Sequence, residues 1–267
     1  MRVFATHRTR SLLLVVLLAV PLALTGTRAN AQVNPLWDHY KVYFVPPFPV
    51  PPLGTPVGLT DQFGFYNHQV QQLELFMNPT QKEDINGIFR INDPITHYSW
   101  WRITPQPFNA LVAATNQFGD QSLNVHDAVY LLNPALKNQG GSLPQKNHYK
   151  CYNCDGQPVN KQVLMTDQFG QWSALVTFPR YFCNPVQKQL TPPAGATYPI
   201  LDPNQHYICY EFQPPDQTPR TAVMSDQFTT NHGMNLTPSQ YICVPTYKTG
   251  FTASSTDTWG RVKMLYR

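Results

Sequence analysis

Four histidines in this chain each stand directly before a tyrosine: His39-Tyr40, His97-Tyr98, His148-Tyr149 and His206-Tyr207. Imidazole is a common metal ligand and proton carrier, so four copies raise a metal reading. The weightier reading is that a histidine ahead of a buried tyrosine is a satisfied strand-edge residue. Lys82, Lys137, Lys188 and Lys248 lie just past Asn-Pro or Val-Pro, where capping or solvation is expected. Cys151 and Cys154 spell Cys-x-x-Cys, the spacing of a redox dithiol or half a zinc site. No second such pair exists to complete it. Hydrolase, zinc-protease, phosphate-loop and dinucleotide signatures are absent, and no carboxylate pair stands out as a glycosidase site. The expectation is a protein that is not an enzyme and uses no cofactor or metal.

What does recur is a short string: Asp61-Gln62-Phe63, Asn116-Gln117-Phe118, Asp167-Gln168-Phe169 and Asp226-Gln227-Phe228. Gly64, Gly119 and Gly170 follow the first three copies, and Thr229 follows the fourth. Upstream of each stands the His-Tyr run, for example His148-Tyr149-Lys150-Cys151-Tyr152. Downstream stand Asn78-Pro79, Asn133-Pro134, Asn184-Pro185 and Val244-Pro245, each followed three residues later by its lysine. The spacing from Asp61 to Pro79 is repeated from Asn116 to Pro134 and from Asp167 to Pro185, and is one longer from Asp226 to Pro245. Four tandem units with a period of about 50–60 residues account for this.

Within a unit the runs read as strands. His-Tyr-x-Cys-Tyr is a short alternating aromatic run, and stretches such as Gln162-Val163-Leu164-Met165-Thr166 lead into the string. Asp or Asn bonds its own backbone two residues on, and Gly supplies positive φ, so the string should turn one strand into the next with its Phe in the core. A small-ligand site built on the Asp and Gln is the rival. It loses because the second unit exchanges Asp for Asn and the fourth drops Gly while the rest persists. A third run, Ala174 to Phe178, and a fourth, Arg180 to Cys183, are expected to stop at Asn-Pro.

The repeat organises the cysteines. Cys151 and Cys209 share one repeat position, Cys183 and Cys243 another; the first two units carry Val42 with Met77 and Trp100 with Leu132 there. Two positions that are both Cys or both apolar are most simply in contact, which predicts disulfides Cys151–Cys183 and Cys209–Cys243. Cross-unit pairing is the alternative. Cys154 is left over as a free thiol or an intermolecular bridge.

The N-terminus reads as an export signal over residues 1–31. Arg2, Arg8 and Arg10 precede an apolar run from Leu12 to Leu24, and Ala29-Asn30-Ala31 is a cleavage pattern. The apolar run is too short to span a bilayer, and no membrane span is expected elsewhere. Removing these residues takes away four arginines and leaves 15 basic against 15 acidic side chains. With no basic cluster, a nucleic-acid partner is not indicated. Proline at 26 residues disfavours helices, and 13% aromatic content gives ample surface to bury.

The set His-Tyr-x-Cys-Tyr, Thr-Asp-Gln-Phe-Gly and Phe-Cys-Asn-Pro-x-x-Lys resembles a family of bacterial exported domains of unknown function that occur in tandem in surface or secreted proteins. The match is closest over 148–188, recognisable over 206–248 and weaker in the first two units, which lack both cysteines. The resemblance implies a fold and a location, periplasmic or extracellular, and assigns no activity.

The expected architecture is all-β, with four repeats paired into two sandwich- or barrel-like halves: 32–139 and 148–267, joined by a linker at 140–147. The leading functional expectation is an exported structural or interaction module with a protein or glycan partner. A carbohydrate- or surface-binding adhesin using Trp37, Trp100, Trp101, Trp172 and Trp259 is the second, and an enzyme the third. Asn235-Leu236-Thr237 formally matches a glycosylation acceptor.

Overall fold

The computed structural model describes residues 34–49, 54–138, 140–190 and 195–253. The export signal expected over 1–31 and the end of the expected second half, 254–267, lie outside the described residues. Unit 1 forms β1 (His39–Pro49), β2 (Thr55–Asp61), β3 (Gly64–Asp84) and the short β4 (Gly87–Phe89). Unit 2 forms β5 (His97–Gln106), β6 (Ala110–Asn116) and β7 (Gly119–Lys137). Unit 3 forms β8 (His148–Asp155), β9 (Lys161–Asp167), β10 (Gly170–Leu190) and β11 (Thr197–Tyr198). Unit 4 forms β12 (His206–Asp216), β13 (Arg220–Ser225), β14 (His232–Leu236) and β15 (Ser239–Ala253).

The string makes the corner at the head of each hairpin. In β2–β3, Asp61 pairs with Gly64 across Gln62-Phe63, and Asp61 Oδ1 accepts the Phe63 amide at 2.9 Å. The same bond runs from Phe118 to Asn116, Phe169 to Asp167 and Phe228 to Asp226 at 2.8–2.9 Å. Gly64, Gly119 and Gly170 take φ of 106–123°, a conformation that suits glycine. Unit 4 has Thr229 instead, and its corner widens: the Asp226 amide donates to the Thr229 carbonyl, and Asn231 takes the positive φ.

The third and fourth runs of each unit are one strand. β10 passes through Pro179 and Pro185, and Pro185 stands opposite Tyr149 within an unbroken register from Tyr181 to Val186. Proline has no N–H to give, so a sheet accepts it where no ladder bond needs one. The expected stop at Asn-Pro is thereby corrected: Pro79, Pro134, Pro185 and Pro245 each face their own unit's repeat tyrosine inside continuous pairing. At Pro179 the register to β12 shifts instead, bending the strand.

The pairing runs around the whole molecule. Each unit's first strand bonds its own long strand and the long strand of the unit before it. The ring is β1–β3–β5–β7–β8–β10–β12–β15, and β15 pairs back with β1. It does not break at 140–147: β7 pairs with β8 across that segment. The hairpin strands then lie against units two steps away, β2 on β10, β9 on β3, β6 on β15 and β13 on β7. Units 1 and 3 thus exchange hairpins, as do 2 and 4. The expected halves of consecutive units give way to one barrel with pseudo-fourfold order, because a short unit completes its edges only against neighbours on every side.

Both faces of each first strand are consequently buried, as the opening five-residue buried runs of β1, β5, β8 and β12 record. One face fills the barrel. Tyr40, Tyr98, Tyr149 and Tyr207 form a closed ring of edge-to-face contacts, with neighbouring centroids 5.2–5.8 Å apart. The next layer holds Val42 with Met77, Trp100 with Leu132, and the disulfides Cys151–Cys183 and Cys209–Cys243. The other face meets the hairpins through Phe63, Tyr152, Val163 and Phe182 on one side and Tyr43, Leu59, Trp101 and Met224 on the other. Cys154 is buried and unpaired in the first of these clusters, where burial pushes its thiol pKa up.

Replacing Cys151 with Val and Cys183 with Met, the pair that unit 1 carries, should leave the fold intact. It should remove about 3 kcal/mol of stability, the chain-entropy contribution of a bridge closing a loop of this size. Urea denaturation of the variant against the oxidised parent measures the difference.

Candidate functional site: four buried polar clusters

The outward face of each first strand and the far end of each long strand enclose a polar cluster beneath a neighbouring hairpin. Three units build every cluster. In the first, unit 1 supplies Asp61, Gln62 and Phe63. Asn184 of unit 3 donates to Asp61 at 3.3 Å and accepts from Gln62 at 2.5 Å, and Tyr152 of unit 3 donates to Asp61 at 2.7 Å. From unit 4, His206 faces Gln62 at 3.2 Å and the Lys248 ammonium lies over the Phe63 ring.

The arrangement recurs: string from one unit, a hydrogen-bonding aromatic from the unit two on, together with an Asn in three of the four clusters, and His and Lys from the unit three on. Asp167 accepts from Tyr43 at 2.5 Å and from Asn78 at 3.1 Å, while Lys137 and His97 close that cluster. Asp226 accepts from Trp101 at 2.6 Å and from Ser99, with Asn133, His148 and Lys188 beside it. Asn116 reaches Tyr210 at 2.9 Å and Thr246 at 3.3 Å, Gln117 meets His39, and Lys82 lies over the Phe118 ring.

Two sequence expectations are corrected. The histidines are not at strand edges: His39, His97, His148 and His206 are all 5% exposed or less, between barrel and hairpin. The lysines are not solvated. Lys82 and Lys188 have no exposed surface, Lys137 is nearly as buried and Lys248 is partly so. Burial lowers Lys82, Lys137 and Lys248 to about 8 and Lys188 well below its ordinary range. The string's carboxylates oppose that loss: Asp167 acts on Lys137, Asp226 on Lys188 and Asp61 on Lys248.

Unit 2 carries Asn116 in the string, so the lysine of its cluster has no carboxylate there. Lys82 finds one elsewhere: Asp84, two residues on in the same strand, accepts at 2.5 Å, and both side chains are almost wholly buried. The equivalent positions after the other lysines hold Gln139, Leu190 and Gly250. Each cluster thus sets its repeat lysine against a carboxylate, by different routes, and Asp61 also pairs with the buried Lys150 at 3.8 Å.

Sequence reasoning missed the aromatic partner of each cluster. Tyr43, Trp101, Tyr152 and Tyr210 are the fifth residues of the four His-Tyr runs; the first three donate to the Asp of a string, and Tyr210 accepts from Asn116. The available signal was an aromatic that always carries an N–H or O–H. Trp100 and Trp101, offered as stacking platforms, are fully buried, Trp37 packs on Tyr247, Trp172 is half-buried and Trp259 lies outside the described residues. Among the described residues no three of His, Cys, Asp and Glu converge as a metal site requires, and no helix is long and apolar enough to cross a membrane.

One cluster opens to a cavity of about 460 Å³. His148, Gln227, Leu143, Tyr198, Pro199 and Leu201 are among the residues that line it. Gln227 Nε2 is buried in the cluster without a hydrogen-bond partner.

A model of the family described as a repeat of unknown function (DUF7450) matches residues 97–245, more than half of the chain. The chain belongs to that family. No curated protein and no solved structure matches it.

Asp84→Asn should cost roughly 3–5 kcal/mol, because it strands the buried Lys82 charge. Adding Asn116→Asp should recover part of the loss, since the Tyr210 and Thr246 hydroxyls can turn to donate. Chemical denaturation of single and double variants reads this out.

Acidification should destabilise the protein in a defined window. Burial lowers His97 and His206 to about 4, with His39 and His148 also depressed. Each titrates near 6.5 in an unfolded chain. Between pH 6.5 and 4 the unfolded chain binds protons that the folded one refuses, so stability is full above this window and falls through it, by about 1.4 kcal/mol per pH unit per histidine. His97→Gln should flatten that slope in denaturation series.

Proposed function

We propose that this protein is an exported, non-catalytic structural or interaction module of the cell surface or extracellular space. What carries the reading is how the reactive side chains are used. Every repeated His, Lys, Asp, Asn and Gln is committed to a polar cluster within the fold, and aromatics and disulfides occupy the barrel. Turnover chemistry needs reactive groups open to a substrate. The two disulfides accord with an oxidising compartment.

The interaction half of the proposal rests on the 460 Å³ cavity. Its largely apolar lining, Leu143, Pro144, Tyr198, Pro199 and Leu201 with a few polar side chains, suits a protein or glycan group that buries an apolar face. An adhesin working through surface tryptophans is less well supported, because Trp100 and Trp101 are core residues.

Fractionation of the native cells should place the chain outside the cytoplasmic membrane. Immobilised protein should retain a surface protein or glycan that the Leu201→Arg variant, equally folded, does not. A cytoplasmic location, or substrate turnover by the pure protein, would defeat the proposal.

A further inference from the structure

The cluster joining units 1, 2 and 3 brings together the parts of an amide-forming reaction. Lys137 Nζ lies 2.7 Å from the side-chain carbonyl oxygen of Asn78. The amide carbon is therefore no more than about 3.9 Å from the amine, one C=O length (~1.23 Å) further on. Gln168 Nε2 donates to the same oxygen at 2.6 Å, where negative charge would develop on attack. Asn78 Nδ2, the leaving nitrogen, donates to Asp167 Oδ2 at 3.1 Å. Tyr43 and the Phe169 amide hold that carboxylate at 2.5 Å and 2.8 Å. The Phe169 ring centroid is 4.3 Å from the amine. Asn78 is fully buried, with Lys137 and Asp167 nearly so, and water that would solvate the amine is largely excluded.

We propose that Lys137 and Asn78 react with each other in the folded protein to form an intramolecular isopeptide bond, with Asp167 moving the proton and Gln168 holding the oxygen. The uncharged amine attacks Asn78 Cγ, forming the Nζ–Cγ bond. The attack places Nζ and Nδ2 on one carbon, and Asp167 Oδ2, already 3.1 Å from Nδ2, moves the surplus proton from the first nitrogen to the second. The Cγ–Nδ2 bond then breaks, and ammonia leaves. Atoms balance with no oxidant or second reactant: amine plus primary amide gives secondary amide plus ammonia. The reaction happens once per chain, so it is a self-modification, not turnover, and it holds whatever the protein binds.

Two features favour the step energetically. Burial brings Lys137 to about 8, so about one amine in ten is uncharged near pH 7. Fixing the two groups in contact also supplies an effective molarity on the order of 10⁵ M or more.

The other clusters act as internal comparisons, each lacking one part. Val244 replaces the asparagine of the Asn-Pro position in the cluster of Lys82, and the amides there, Asn116 and Gln117, bond Tyr210, Thr246 and His39 instead of that lysine. Lys248 is not hydrogen-bonded to Asn184, whose carbonyl accepts from Gln62. Lys188 does touch Asn133 at 2.6 Å, but Asn133 Nδ2 has no partner and Asp226 is held by Ser99 and Trp101. Only the cluster of Lys137 joins amine, carbonyl donor and carboxylate on one asparagine.

Mass spectrometry of the full chain after reduction and alkylation tests this. The expected result is a deficit of about 17 Da, one ammonia, and a branched proteolytic peptide containing residues 78 and 137. Cyclisation of an N-terminal glutamine loses the same mass, so the branched peptide is the deciding readout. Lys137→Arg and Asp167→Asn, each verified as folded by near-ultraviolet circular dichroism, should give linear peptides only. A folded parent chain with residues 78 and 137 on separate peptides overturns the proposal, as does a branch at Lys188 and Asn133 alone. The parent measurement decides by itself if a variant fails to fold.

Discussion

A lysine ammonium taken out of water must meet a counter-charge and hydrogen-bond acceptors, or its burial undoes the fold. The four repeat lysines sit between the barrel wall and the hairpins of this protein, and the surrounding polar residues answer that requirement. Asp61, Asp167 and Asp226 serve three of them from the turns of other units, and Asp84 serves the fourth from its own strand. The carboxylate also receives its own turn's Phe amide. A single side chain thereby shapes a corner, neutralises a cation and ties two units together.

The same constraint explains why the units cannot act separately. The ring closes only when the long strand of unit 4 pairs back with β1, and each hairpin finds its second partner two units away. Every cluster then draws on three units. A chain cut between units would expose strand edges and leave lysines without their carboxylates. Repetition here produces one cooperative body rather than independent beads.

Much of this was legible in the residues. The four-unit repeat, the strand-rich class and the Asx corner with its Phe follow from spacing and residue type, since a turn is settled by bonds within a few residues. Other features were not. Lys137 looks like any lysine after a proline; its burial depends on Asn78 and Asp167, 59 and 30 positions away in the chain. Trp101 and Tyr152 read as core aromatics, and their donor roles appear only once a turn from another unit is laid across them. Asn-Pro read as a strand stop, whereas the register carries the strand through it.

The sequence by itself therefore determined the repeat, its turns and the residue types that must be buried, because these follow from short-range geometry and composition. Tertiary structure alone decided which units meet, how the sheet closes, and which amine, amide and carboxylate share one dry space. Those depend on contacts between residues far apart in the chain, and no local pattern encodes them.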